Sequence, residues 1–390
     1  MSKQVKTPRF YVDMVTFLHA TGMTGWASDE QRGGADLLYM NCANPYLREQ
    51  ESNPVIFRTG IYNQNTYKTS FPINFVALLN HNLANDSNQF LVQGIRQSFT
   101  DDNNYGGHIW DNLSDYDYKA NILNAEKSSS NIVPEYNGTT IFEIEEKNEY
   151  WTSFFVKYHD SGFDNTHQHQ LGSLVVGKYW DAPYSPDLNL TMSRRFDGIK
   201  KQKTIGGKTL ANIYYDGPTE WTMNHRYDGT YKYPPFELDG PDPSNDEMTM
   251  ALRAKSGLGR KGLRSWKLTF SYIPDDDMWM AYENSSLAPF RELTINVGDT
   301  HTVTGDSVVP SDGGETVADY FQPNPMLSDN SFNFVWNCTL GGTLPFIFQP
   351  DNTNNNPDQF AICTFRENTL DVSQLSTNVY RLSVTIDEVA

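Results

Sequence analysis

Residues 171–195 read LGSLVVGKYWDAPYSPDLNLTMSRR, and residues 265–279 read SWKLTFSYIPDDDMW. The first opens as the apolar run Leu171–Tyr179, passes a Pro-rich turn and resumes with alternation at Leu188–Met192. The second sets Trp266, Leu268, Phe270 and Tyr272 on one side of an extended chain and Lys267, Thr269 and Ser271 on the other. Successive side chains of extended backbone point to opposite faces, so a period of two held this long marks a half-buried strand. Together the two stretches predict an antiparallel β-domain.

The same pattern recurs on either side. At the C-terminal end, Phe332–Thr339, Leu344–Phe348, Phe360–Arg366 and Val379–Val389 follow at short intervals, and each reads as a strand. The last places Leu382, Val384 and Ile386 on one face and Arg381, Ser383, Thr385 and Asp387 on the other. Towards the N-terminus, Phe10–Leu18, Phe71–Leu83, Phe90–Ile95, Ile141–Glu145 and Tyr150–Tyr158 are further strand candidates. Asn, Asp, Ser, Thr, Gly and Pro fill the gaps, as turn-rich β chains require. No long stretch carries the apolar stripe of an amphipathic helix. The expectation is an all-β protein of β-sandwich or jelly-roll modules, with long loops and little helix.

Three segments are expected along the 390 residues: an irregular N-terminal arm over 1–55, a β-sandwich domain over 56–284, and a long connection with C-terminal strands over 285–390, in the same or a second sandwich. Residues 99–140, dense in Asp, Asn, Ser and Gly, read as long exposed loops.

Composition narrows the function classes. The 22 Tyr, 22 Phe and 8 Trp are too many large apolar side chains for a disordered chain. A formal net charge of −18 repels phosphate backbones and argues against nucleic acid as the main partner. The N-terminal MSKQVKTPRF has no apolar signal-peptide core, and no run of roughly 18 apolar residues exists to span a membrane. The chain is expected to be made in a cytoplasm and left unprocessed. Cys42, Cys338 and Cys363 have no CxxC spacing. Cys338 and Cys363 read as small buried hydrophobes, the alternative being one bridge between neighbouring strands.

Several groups of residues bear chemistry. His167 and His169 would point the same way on a strand and could share a metal, with Asp160 and Asp164 nearby; a solvated loop is the favoured reading. Asp275, Asp276 and Asp277 lack the spacing of a calcium loop and read as an acidic turn ending a strand. Two basic clusters interrupt the acidic chain. One holds Arg194, Arg195, Lys200, Lys201, Lys203 and Lys208; the other holds Arg253, Lys255, Arg260, Lys261, Arg264 and Lys267. Local positive charge on such a chain suits the acidic face of a neighbouring subunit. Tyr179, Trp180, Tyr184, Trp221, Tyr227, Tyr231 and Tyr233 crowd a polar region and divide among core, interface anchors and sugar-stacking surfaces. No nucleophile elbow, P-loop, dinucleotide fingerprint or HExxH motif occurs. No cofactor and no metal is expected.

Four stretches carry a resemblance: Phe71–Leu83 with Asn80-His81-Asn82, the Gly177-Lys178-Tyr179-Trp180…Ser185-Pro186-Asp187-Leu188 stretch with Thr191–Arg194, the Trp266–Tyr272 strand, and PFIFQPD at Pro345–Asp351. In this order, over most of residues 70–390, they resemble structural, tail-associated proteins of tailed bacteriophages of marine bacteria. The resemblance implies a virion component, not an enzyme, built of β-sandwich modules, assembling as a homo-oligomer and with other virion proteins. It transfers no functional residue. Tyr179, Trp180, Tyr184, Arg194, Arg195, Lys200, Lys201, Arg260, Lys261 and Arg264 are the expected interface residues. The alternative is a module that binds or degrades a host-surface glycan, drawn from the aromatic and Asp/Asn richness.

Overall fold

The structure is a computed structural model that describes residues 5–21, 25–28, 37–40, 46–48, 55–61, 73–81, 89–96, 109–112, 118–128, 131–134, 138–145, 151–159, 169–195, 199–213, 263–279, 301–304, 307–310 and 331–389. The described chain is mostly strands, with few helices, so the all-β expectation holds. Eleven strands form one antiparallel sheet. In chain order they are β1 (Arg9–Asp13), β2 (Phe75–His81), β3 (Tyr118–Leu123), β4 (Gly138–Ile144), β5 (Ser173–Asp181), β6 (Thr191–Arg195), β7 (Leu263–Pro274), β8 (Phe346–Gln349), β9 (Ala361–Phe365), β10 (Val372–Ser376) and β11 (Val379–Glu388). Across the sheet they run β6-β7-β11-β9-β8-β1-β5-β2-β4-β3, with β10 beside β11.

A second sheet of seven strands is ordered Gly25–Ser28, Val55–Ile61, Trp151–His159, Gln89–Arg96, Asn131–Val133, Glu126–Ser128, with Ile109–Asn112 beside Gln89–Arg96. The chain passes between the sheets at a sharp corner. It leaves β3 at Leu123, turns at Asn124 (φ 54°) and enters the smaller sheet at Glu126. Ala125 at that corner and Ile132 of the smaller sheet are buried in one cluster with Phe142 and Ile144 of β4. Two sheets that share buried side chains make a sandwich-like arrangement.

The middle of the large sheet is covered on both faces. Phe10, Val12, Val76, Leu174, Val176, Trp180, Trp266, Phe348 and Ile386 belong to the larger cluster, and Tyr11, Phe75, Ala77, Val175 and Ile347 to another. This is why β2 and β5 are buried almost throughout and carry apolar residues in succession, while β11, with one face partly wet, keeps its alternation. Each fully buried large apolar side chain contributes about 1.5–3 kcal/mol.

Several expectations need correction. The 1–55 segment is not an irregular arm: β1 lies in the centre of the sheet, between β5 and β8. Of the two alternatives for the C-terminal strands, the first fits the topology: β8 to β11 complete the same sheet as β1 to β7. Only the first half of Phe10–Leu18 is strand. Asp13 ends β1 and its carboxylate accepts from the Val15 and Thr16 amides, starting helix α1 (Met14–Ala20) with no intervening loop. Phe332–Thr339 is not a strand. Phe332–Cys338 is helical, capped by the Ser331 hydroxyl at the Phe334 amide and closed by Leu340, Gly341 and Gly342 at positive φ. The Asp275–Asp277 turn opens the one-turn helix Asp275–Met278. The 99–140 region, expected as loops, contributes strands to both sheets.

The alternation of β7 also breaks. Its pairing with β11 slips between Phe270 and Ile273. Trp266, Leu268 and Phe270 stay buried, but the bulge shifts the buried position to Ile273 and leaves Tyr272 71% exposed. Among the described residues no helix is long and apolar enough to cross a membrane.

Candidate functional site

The first basic cluster is exposed, and it lies on two elements. Arg194 and Arg195 end β6, whose five residues are all exposed and which is the last strand in the order of the large sheet. Lys200, Lys201, Lys203 and Lys208 lie on an antiparallel hairpin, Ile199–Lys203 with Thr209–Ile213, paired from Ile199↔Ile213 to Lys203↔Thr209. Its turn is closed by a local network. The Thr204 amide donates to the Lys208 carbonyl at 2.8 Å, the Gly207 amide to the Thr204 carbonyl at 2.9 Å, and the Lys208 amide to the Thr204 hydroxyl at 3.0 Å. Gly207 holds φ +81°, the left-handed conformation such a turn requires. Every residue from Lys200 to Ala211 is exposed, including Ile205 at 110% and Leu210 at 48%.

The second cluster divides. Arg260 and Lys261, like Arg253 and Lys255, lie outside the described residues. Lys267 is exposed. Arg264 is not an interface residue: it is buried and paired inside the chain. Its Nε and Nη2 donate to the Glu388 carboxylate at 2.9 Å each, its Nη1 to the Asp358 carbonyl and its Nη2 also to the Phe360 carbonyl, both at 2.6 Å. Sequence reading could not separate it from its basic neighbours, because Glu388 stands 124 residues away.

The aromatic group divides as well. Trp180, one of the aromatics divided among core, interface and sugar-stacking roles and chosen as an interface residue, is a core residue: it is 1% exposed and packs tilted against Phe10 at 5.6 Å and edge-on against Phe332 at 5.5 Å. Tyr179 points to the other face and is half-buried. The Arg9 guanidinium sits 3.8 Å over its ring, and its hydroxyl donates to Glu143. Arg9 also holds Asp181 through two hydrogen bonds of 2.7 Å, and Lys119 reaches Glu143 at 2.7 Å. Burial and the Glu143 carboxylate raise the Tyr179 phenol well above its usual range. This row ties β1, β5, β4 and β3 together, and sequence gave no signal for it, since its members lie up to 172 residues apart. Trp221, Tyr227, Tyr231 and Tyr233 lie outside the described residues, as do His167 and its neighbour Gln168; His169 starts the short strand His169–Leu171, paired with Tyr46–Arg48.

Tyr184 is half-buried against Phe270, and its hydroxyl accepts the Tyr272 amide. Ser271 donates to Asp187 beside it. Burial, with Asp187 and Asp277 nearby, raises the Tyr184 phenol, and burial together with Asp276 raises the Asp277 carboxyl. Among the described residues no group of three His, Cys, Asp or Glu side chains is arranged to hold a metal ion. The chain matches no protein-family model, no curated protein and no solved structure.

Proposed function

We propose that this chain is a structural protein of a tailed-bacteriophage particle, tail-associated, which works by contacts with copies of itself and with other virion proteins. The observation that carries the reading is the exposed basic hairpin, pre-formed by its own turn bonds and set on a strongly acidic chain. Such an element has the chemistry for steering and registering a protein contact rather than for turnover. The four stretches that carry the phage resemblance supply β2, β5 with β6, β7 and β8, all within one sheet, so they form a common framework rather than scattered fragments. The large sheet is held by buried clusters and buried pairs, which leaves its exposed strands and hairpins for docking.

Mass spectrometry of purified phage particles tests the proposal. The expected result is this chain at a stoichiometry of several copies per particle. Its absence from intact particles overturns the reading.

A further inference from the structure

We infer that the outer face of β6, β7 and β11 binds a polysaccharide that carries carboxylate groups. Directly opposed residues of an antiparallel pair share a face, so the register defines this surface. Ser193, Ser265 and Asp387 stand in one row across the three strands, and Thr191, Lys267 and Thr385 in the next. Arg195 continues β6 on the same side, and Ser383 and Arg381 continue β11, with Ser373 of β10 opposite Arg381. The other side of these strands carries Trp266, Leu268, Leu382 and Ile386, all buried. Thr191, Ser193, Arg195, Lys267, Arg381 and Ser383 are exposed, and Ser265, Thr385 and Asp387 are half-buried. Arg366, just past β9, reaches onto this face. Its guanidinium donates to both Asp387 carboxylate oxygens, at 2.8 and 2.6 Å, and to the Ser265 hydroxyl at 2.9 Å.

Charge and hydroxyls together define the ligand. Arg195, Lys267, Arg366 and Arg381 less Asp387, the acid at these positions, give the face +3 on a chain of −18, so the remainder holds −21. At physiological salt the Debye length is about 8 Å, so a ligand on the face meets these cations while distant acids are largely screened. The Arg366–Asp387 pair displays the fork that a planar guanidinium makes on a carboxylate. The hydroxyls between the cations both donate to and accept from sugar hydroxyls. A protein partner fits less well. Protein contacts centre on buried aromatic and aliphatic anchors, whereas the apolar residues here stand at the two ends, Leu263 opposite Arg195 and Tyr272 in the bulge beside Arg381. Nucleic acid also fits less well. No aromatic side chain stands between the cations for bases to stack on, and a duplex long enough to gain many phosphate contacts also meets the acidic remainder.

Isothermal titration calorimetry of the full chain at about 0.15 M salt tests the site, with polygalacturonate, uncharged dextran and duplex DNA as probes. The wild type is expected to bind polygalacturonate and not dextran. K267E/R381E should bind polygalacturonate roughly tenfold more weakly. K200E/K201E, on the hairpin, makes the same change in net charge and should stay within about twofold of wild type, because the effect is local. All four positions are exposed, and circular dichroism checks that both variants fold. K267Q/R381Q, which removes the charges without reversing them, repeats the test if the reversal does not fold. No binding of polygalacturonate, equal binding of dextran, or equal losses in the two reversed variants overturns the inference. So does tighter binding of duplex DNA, or self-association that K267E/R381E abolishes, which would make the face a protein contact. Failure here is separable from failure of the virion reading. A chain found in particles that binds no polygalacturonate sinks only this site, and a binding chain absent from particles sinks only the virion role.

Discussion

Arg264 and Glu388 face each other across β7 and β11, buried, with the guanidinium forked onto the carboxylate and the Arg264 amide donating to the same group at 2.8 Å. The two carbonyls of Asp358 and Phe360 take further guanidinium protons. Each charge is thus neutralised and hydrogen-bonded, the condition for burying an ion pair without large cost. Removing one partner strands the other in an apolar setting. Arg264→Met should therefore cost about 3–5 kcal/mol, read as a fall in the urea midpoint. The double change Arg264→Met/Glu388→Leu should recover much of that loss, since no buried charge remains. Equal losses in the single and double variants would show that the pair's packing, not its charge, matters.

Gly177 sits where β5 approaches the β1–α1 junction most closely. A Cβ built there would lie 1.9 Å from the Val12 carbonyl oxygen, and that oxygen belongs to backbone, which cannot swing aside. Gly177→Ala should force the two central strands apart and destabilise by about 1–3 kcal/mol or more. Gly206, in the exposed hairpin turn, has nothing within 4 Å of a built Cβ. Gly206→Ala should leave the unfolding midpoint within about 0.5 kcal/mol of wild type. Comparable effects at both positions would contradict this packing.

What sequence could show follows from the range of the interactions. The alternation in β11 depends on burial of one face along a single strand, and it reads directly from Leu382, Val384 and Ile386. The β7 pattern reads as far as Phe270 and then fails, because a bulge depends on the partner strand rather than on local composition. Phe332–Cys338 looks alternating, yet the Ser331 cap and the Leu340-Gly341-Gly342 closure make it a helix. The central place of β1 was out of reach. Its partners, through Arg9–Asp181 and Tyr11–Gln349, stand 172 and 338 residues away. In the candidate surface, the exposure of Lys200 and Lys201 was legible from a polar lysine-rich run. The burial of Arg264 and Trp180 was not, because it is decided by distant strands.

Cys338 on the Phe332–Cys338 helix and Cys363 on β9 are both buried and both free. Burial raises both thiols far above their usual range, and the Glu388 carboxylate adds to the shift at Cys363. The thiolate is the reactive form, so neither should react while the chain is folded. In a Cys42→Ser background, a colourimetric thiol reagent should label nothing in native buffer and two thiols in denaturant. Rapid labelling of the native chain would mean that these positions open far more readily than the core around them.

Asp13 and His81 give stability opposite dependences on pH. Burial lifts the Asp13 carboxyl from 3.8 to about 6, against the hydrogen bonds from Thr16, Val15 and Val176 that pull it down. Its folded value is raised, so its contribution is complete below about pH 4 and is lost as pH rises through about 6. Burial lowers the His81 imidazole from 6.5 to about 3, with Thr140 Oγ1 2.8 Å from Nε2. That folded value is depressed, so the neutral ring's contribution is complete above about pH 6.5 and fades as pH falls towards 3. Between about pH 4 and 6 the two slopes are opposite in sign and nearly equal in size, so together these groups leave stability close to level there. Urea midpoints measured at intervals from about pH 4 to 7 check this. His81→Asn, which keeps a polar group facing Thr140 but takes up no proton, should leave the Asp13 slope uncompensated, so that stability falls as pH rises from about 4 to 6. Asp13→Asn, which keeps an oxygen for the α1 cap, should uncover the histidine slope, so that stability rises over the same range. An unchanged slope in His81→Asn would mean that the acid sensitivity lies in the surface carboxylates rather than at the β2–β4 pairing.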